Sequence, residues 1–340
     1  MNNILKFPAS FNPATFEYGS LESSALKGLE TIENFQPTFP QLDKLNWSAK
    51  FGQYAMLTNP NEAPQLIPAH KSRPIFRDDT KEWIGQAGSK YTIAQNWELR
   101  EVLQEACENA LPKSYLSEIT LKESMSHGGG FTQFSVRFVN SGKEIRQLAK
   151  NAGYSKLWNG GDKTLLNLGF SVTNSFGGKS PVVVKSLVTD LACENGMVLD
   201  VMGGQAKRRH TSGYTPEYFI PFIEEQVAKY EKRIAVWEAW AQAKITPAQA
   251  QETLEGMGIA AGLTEKLMQQ LDIEAQSRGY TIWGLHSCLT HWSSHDTPEF
   301  KVVSRGEEKD IVAQALDRRQ NQVSTWLASP AWQALTGEAA

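Results

Sequence analysis

The sequence predicts an α+β protein: a β-rich central domain built on a strand-strand-helix-strand-strand core, followed by a helical C-terminal region. Three observations carry this. The stretches LSEITLK (116–122) and FTQFSVRFV (131–139) alternate polar and apolar residues around a glycine-rich turn, the period of half-buried strands. Between 219 and 243, Phe222, Ile223, Val227, Tyr230, Ile234, Trp237 and Ala241 recur at steps of three and four, the period of a helix with one apolar face. With 340 residues, 41% hydrophobic and 21% charged, the chain has enough apolar material for one large core or two ordinary ones.

Residues 1–68 are rich in Pro, Asn, Phe and Ser and hold no sustained period, so they read as an irregular aromatic arm with one helix near 21–32, packed on the body or on a neighbouring subunit. The core domain spans 69–215. In it Arg73 to Arg77 read as a strand, Asp78-Asp79-Thr80 as a turn, and 82–94 as one or two further strands. Asn96 stands as the N-cap of a helix whose Leu99, Val102, Leu103 and Ala106 share a face. The alternating pair follows, joined through Gly128, Gly129 and Gly130, then a second hairpin at 165–184 around Asn174. The stretch 186–202 is compatible with helix or strand. From 216 to 340 helices dominate: one long helix at 219–243, one opened by Thr246-Pro247, and others near 264–277, 280–292 and 308–327.

The net charge of -3 divides unevenly: 4 Lys/Arg against 6 Asp/Glu in residues 1–68, 19 against 14 in 69–215, and 11 against 17 in 216–340. Only the middle is basic, so phosphate contacts are sought there. No apolar run approaches the ~20 residues of a membrane span, and the N-terminus lacks a basic start followed by an apolar stretch. Cys107, Cys193 and Cys288 form no CxxC pair, which suits a reducing compartment, and the cytoplasm is expected.

Catalytic signatures are missing. The chain has no GxxxxGK[ST], no GxGxxG between strand and helix, and no GxSxG. His286, His291 and His295, with Cys288 and Asp296, fall in one stretch, but no HExxH glutamate and no second ligand cluster accompany them, so neither metal nor cofactor is expected. Asp78-Asp79 reads as a turn pair rather than as paired catalytic carboxylates. The expectation is therefore a protein that is not an enzyme. The basic residues point elsewhere. Lys207-Arg208-Arg209-His210 is the densest positive cluster, and Lys143, Arg146 and Lys150 share a face if 142–152 is helical. Two such patches in the basic third fit a track along a phosphate backbone.

The blocks RPIFRDDTKEWIGQAGSKYTIAQNWEL, LGFSVTNSFGGKSPVVVKSLVTDLACENGMVL, RRHT and TIWGLHSCLTHWSSHD, in that order over about 70–296, resemble the domain-of-unknown-function 932 family, the phage/plasmid-like proteins. The positions that match are Arg77, Asp79, Thr80, Gly85, Tyr91, Gln95, Asn96, Asn174, Ser175, Gly177, Cys193, Asn195, His210, Trp283 and His295; His291 stands where an acidic residue is expected. The resemblance implies a mobile-element setting. The strand and helix order is also similar to phage single-strand annealing proteins of the RecT and Erf type. On that analogy the chain is expected to bind single-stranded DNA as a homo-oligomer and to promote annealing, in company with a host or phage replication or recombination protein. Lys207, Arg208, Arg209, Lys143, Arg146 and Lys150 are the expected phosphate contacts, with Arg73, Arg77 and Lys90 further out and Tyr91 and Tyr214 as candidate stacking platforms; for Tyr91 a core role is the favoured reading. The alternatives are a regulator or host-defence antagonist binding a protein through the aromatic arm and acidic C-terminal region, and an unrecognised metal enzyme.

Overall fold

The computed structural model describes residues 39–52, 54–56, 65–67, 72–151, 166–178, 180–190, 195–197, 204–230, 232–294, 301–304, 307–310 and 312–337. The sequence-derived helix at 21–32, Cys193, His295 and Asp296 lie outside them. Strands β1 (Ala49–Phe51), β2 (Tyr54–Met56), β3 (Gln65–Ile67), β4 (Ser72–Arg77) and β5 (Trp83–Gly88) come first, followed by helix α1 (Asn96–Ala110) and the long pair β6 (Ile119–Ser126) and β7 (Phe131–Phe138). Helix α2 (Val139–Asn151), β8 (Leu166–Ser175), β9 (Val182–Asp190), β10 (Asn195–Met197) and β11 (Gln205–Arg208) complete the middle of the chain. The expected strand-strand-helix-strand-strand order over 72–138 is thus present, but its two hairpins sit in different sheets. A three-stranded sheet runs β1-β4-β5, and a six-stranded one runs β10-β9-β8-β7-β6 with β11 also on β9. Of the ambiguous stretch 186–202, the described residues are extended: β9 continues to Asp190 and 195–197 form β10.

Register explains how the large sheet buries itself. Residues directly opposite across a ladder project to the same face. One face carries the rows Leu121–Val136–Phe170–Ser186 and Glu123–Phe134–Val172–Val184–Ala206 and packs into the main core with α1. The other carries Thr120–Arg137–Gly169–Leu187, Lys122–Ser135–Ser171–Lys185–Gln205 and Ser124–Gln133–Thr173–Val183–Lys207. That second face is polar in four of its strands.

Helix α1 buries Leu99, Val102, Leu103 and Ala106, as its spacing predicts. Its N-cap is Gln95, one residue before the expected Asn96: the Glu98 carboxylate accepts from the Gln95 N–H (3.1 Å), while Asn96 turns inward as the first helical residue. The Gln95 amide also pairs with both the N–H and the C=O of Ala49, fastening β1 to the helix start.

The single helix expected over 219–243 is two, α3 (Ile220–Tyr230) and α4 (Arg233–Gln242), because its halves have different anchors: α3 lies along α1, with the Tyr230 hydroxyl donating to the Leu166 carbonyl, whereas Trp237 of α4 packs on Trp283 (6.3 Å between rings). Helices α5 (Pro247–Gly256), α6 (Ala261–Arg278) and α7 (Ile282–Ser294) follow, then a hairpin of β12 (Lys301–Ser304) and β13 (Glu307–Asp310), α8 (Val312–Leu327) and α9 (Pro330–Thr336). Thr246 caps α5 as expected, accepting from the Gln249 N–H. One apolar cluster reaches from Phe39 through Phe134 and Phe170 to Trp237, Leu289 and Leu335, so 215/216 marks a change from strands to helices within a shared core. No described helix is long and apolar enough to cross a membrane.

Candidate nucleic-acid interface

The small sheet is clamped to one end of the large one, and most of the sequence-derived candidates gather at that seam. Gly85 makes the approach possible: a Cβ there would fall 2.1 Å from the Phe176 carbonyl oxygen in the β8–β9 turn. Arg77 holds the other side. Its guanidinium grips Asp79 (2.9 and 2.6 Å), donates to the Gly128 carbonyl (3.2 Å) and lies over the Trp47 ring (4.6 Å). The Arg77 hydrogen bonds hold the Asp79 carboxyl down at about 2. Asp78 accepts from the Ser48 N–H at 2.8 Å, so the acidic pair is a turn pair as expected. Arg77, read from sequence as an outer phosphate contact, is buried and committed to this clamp.

Beyond the clamp, Tyr91 bridges to Thr211 and Thr92 donates its N–H to the His210 carbonyl (3.2 Å), which brings the segment after β5 alongside the segment after β11. The result is a run of stacked rings. The Arg73 guanidinium sits 3.6 Å over Phe51, Phe51 meets Tyr91 edge-on at 6.5 Å, Tyr91 stacks on His210 at 4.7 Å, and His210 stacks on Tyr214 at 6.0 Å. Tyr91 also donates to the Ser175 carbonyl (2.7 Å). Burial pushes the Tyr91 and Tyr214 phenols up and His210 down to about 4, so all three rings are neutral near pH 7. Both expected stacking platforms therefore stack on protein: they are filled, with His210 between them. Asn174 and Asn96 brace the same seam, Asn174 donating to the Ala94 carbonyl (2.9 Å) and to Asn96 Oδ1 (3.1 Å), which also accepts from Thr132 (3.0 Å).

Strand alternation splits the densest basic cluster. Lys207 is exposed on the polar face; Arg208 faces the other way, donating to the Gly213 carbonyl (2.8 Å) with its guanidinium 4.8 Å over Tyr218; Arg209 is exposed beyond the strand end. Lys90, exposed and next to Tyr91, joins Lys207 and Arg209 at this end of the molecule. Tyr218, which the sequence reading passed over, is 46% exposed and offers a ring at the surface. The signal lay in Pro216-Glu-Tyr-Phe219, a one-turn 3-10 helix that shows alternate sides to core and solvent.

Lys143, Arg146 and Lys150 do share a helix, α2, as predicted, but at the other end of the large sheet. Helix α2 starts where Asn167 accepts from the Gly142 N–H, six residues along β8 from Thr173, the partner row of Lys207, which is about 20 Å. Lys143 pairs with Glu118 (3.7 Å).

The histidine stretch of α7 makes a cage. His286 is 0% exposed, stacked on Trp283 (5.4 Å) and flanked by Trp240 (5.4 Å) and Trp332 (6.1 Å), and neither ring nitrogen has a partner among the described residues. Burial and the nearby Arg278 charge press it down to about 3. Among the described residues no group of three or more His, Cys, Asp or Glu side chains converges as metal ligands would.

The model of a family described as Domain of unknown function (DUF932) matches residues 118–325, more than half of the chain. The chain belongs to that family. The DUF932 region runs from the start of β6 into α8, whereas the sequence blocks suggested 70–296: the Arg77 clamp, Tyr91 and α1 precede it, and most of α8 falls within it. No curated protein and no solved structure matches the chain.

Proposed function

We propose that this DUF932 protein is a mobile-element DNA-binding protein that holds the phosphate backbone of single-stranded DNA at the seam between its three-stranded and six-stranded sheets and promotes strand annealing. The observation that carries the reading is the Tyr91–Thr211 bridge, which sets exposed Lys90 at the same end of the large sheet as exposed Lys207 and Arg209, residues more than a hundred positions away in sequence. Cations on phosphates supply affinity without reading sequence and leave base edges free for a complementary strand. The exposed Tyr218 beside Arg208 adds a ring on which a base can stack. Annealing needs no general acid, nucleophile or metal.

The test replaces Lys90, Lys207 and Arg209 together with Ala and leaves Arg208 in place. Each phosphate contact on a single strand contributes ~0.7 to the slope of log affinity against log salt, so three lost contacts flatten it by about two, with the loss independent of base sequence. A wild-type protein without salt-dependent binding to any oligonucleotide near physiological ionic strength, or a triple variant with an unchanged slope, overturns the reading. Homo-oligomer formation belongs to the same proposal. Strand β5 is the edge of the small sheet and carries Trp83 at 60% exposure, a feature that suits pairing between copies. Trp83→Lys should lower the mass measured by light scattering if β5 is that contact.

A further inference from the structure

The polar face of the large sheet is covered by α8, and the cover is held by two different chemistries. The first half of the helix docks mainly through polar groups, around buried Ala313 and with Arg319 over the Trp292 ring. The Gln314 N–H donates to Ser126 Oγ (3.3 Å), its side-chain oxygen meets His127 Nε2 (2.9 Å), Asp317 accepts from Lys185 Nζ (2.6 Å), and Gln320 accepts from Gln133 (3.5 Å). The second half docks through Val323, Trp326 and Leu327 in the main core, with Trp326 5.1 Å from Trp292. A sheet face covered permanently by a helix is ordinarily apolar. Here the covered rows hold Gln133, Ser171, Thr173 and Lys185, and Lys185 is 2% exposed with the Asp317 carboxylate as its one counter-charge among the described residues.

The rows continue past the helix on both sides. Lys122 stands exposed on the β6 edge in the same row as Lys185, three strand spacings or about 14 Å away, and Lys207 stands exposed on β11 in the next row. The buried cation thus lies between two exposed ones on one flat face. Ser135, Ser171, Gln133, Thr173 and Gln205 around them can all donate to phosphate oxygens, with apolar Val183 next to Lys207 on β9.

We infer that this face is a second, covered surface for an anionic strand: the first half of α8 lifts about its apolar second half, and Asp317 occupies in the closed state the place of a phosphate on Lys185. The inference rests on the DNA-binding reading and extends it from the end of the sheet to its face. A carboxylate and a phosphate compete for the same ammonium donors, and the contacts to Ser126, His127, Lys185 and Gln133 are ones that water or a phosphate replaces; lifting would also expose Ala313 and move Arg319 off the Trp292 ring.

Two variants test it, both in full-length protein carrying Cys193→Ser so that only the buried Cys107 and Cys288 remain. Ser126→Cys with Gln314→Cys ties the start of α8 to β6 by a disulfide; Asp317→Asn removes the competing charge. With an oligothymidylate probe at fixed salt, the oxidised double-cysteine protein should bind about tenfold more weakly than the same protein reduced, and Asp317→Asn about tenfold more tightly than wild type, the shift expected when the competent fraction changes by a decade. Native-state hydrogen exchange should show amides of 312–320 opening ahead of those of 323–327. Equal binding by the oxidised and reduced forms, while the Lys90, Lys207 and Arg209 variant has lost binding, overturns the covered surface and leaves the end surface standing. Exchange of both halves of α8 only together with the core overturns it whatever DNA does. Polyglutamate binding matched to DNA binding assigns the face to an acidic protein segment and also overturns it. If wild type and Asp317→Asn both ignore DNA, the broader reading and this one fall together.

Discussion

The tryptophan cage around His286 sets the acid limit of the fold, and the size of the effect follows from its burial. His286 titrates at about 3 in the folded protein against 6.5 for an unperturbed imidazole, and His210, sealed between two tyrosines, at about 4. Both folded values are depressed, so between each pair of values the unfolded chain binds a proton that the folded chain refuses. Stability is therefore complete above the unfolded value and is lost as pH falls toward the folded one. At about pH 5, roughly 1.5 units below the unfolded value, each histidine withdraws ~2 kcal/mol at ~1.4 kcal/mol per unit. The pair then removes ~4 kcal/mol, a large share of the ~5–15 kcal/mol typical of a folded domain. Asp79 does not interfere, since a carboxyl held at about 2 gives up its contribution only below 3.8. Urea unfolding from about pH 8 to about pH 5 should show this fall in wild type. His286→Phe, which keeps an aromatic ring in the cage without a site for the proton, should show about half of it and be at least as stable as wild type at the alkaline end. A His286→Phe variant with the full wild-type dependence would refute the reasoning, because the cage would then not be what excludes the proton.

Three further outcomes follow from packing. Leu103→Ala, in the buried face of α1, should cost ~2–5 kcal/mol by chemical unfolding. Gly85→Ala drives a methyl into the Phe176 carbonyl and should cost ~1–3 kcal/mol, with faster hydrogen exchange in β4 and β5 than elsewhere, since it is the small sheet that must move away. Arg208→Ala should lower the melting temperature while leaving the salt slope of DNA binding within experimental scatter, because that guanidinium is spent on Gly213 and Tyr218 and not on phosphate.

What the sequence disclosed was local. Three-and-four spacing located α1 and its buried face, and two-residue alternation located β6 and β7, because each period is set by one element's own geometry. The N-cap was misplaced by one because Gln95 is selected by Ala49 and Glu98, and no spacing rule anticipates a partner 46 residues away. The long helix over 219–243 divided for a similar reason: Tyr230 answers to Leu166 and Trp237 to Trp283. Helix α9 was missed although Ser329-Pro330 repeats the start signal of Thr246-Pro247, with Ser329 accepting from the Trp332 N–H at 3.3 Å. At the site, residue type was legible and direction was not. Tyr214, offered as a platform for bases, stacks on His210, Tyr91 takes the core role favoured for it, and Tyr218 went unnoticed.

Direction decides what a bound strand meets. Adjacent residues of β11 project to opposite faces, so Lys207-Arg208-Arg209 is not one patch of three charges. Lys207 projects to the same face as Lys122 and Lys185, one row along, whereas Arg208 belongs to the core-facing side and presents Tyr218 beside it. On the proposed reading, a strand passing the end of β11 would meet cations toward the polar face and a ring toward the other, an arrangement that would separate backbone from bases. The α2 cations lie about 20 Å away along β8. Between the two ends, the path along the polar face runs through Lys185, which Asp317 now neutralises. A continuous backbone track over this sheet thus depends on α8, and the salt bridge between Lys185 and Asp317 is the contact at which the two proposed surfaces become one.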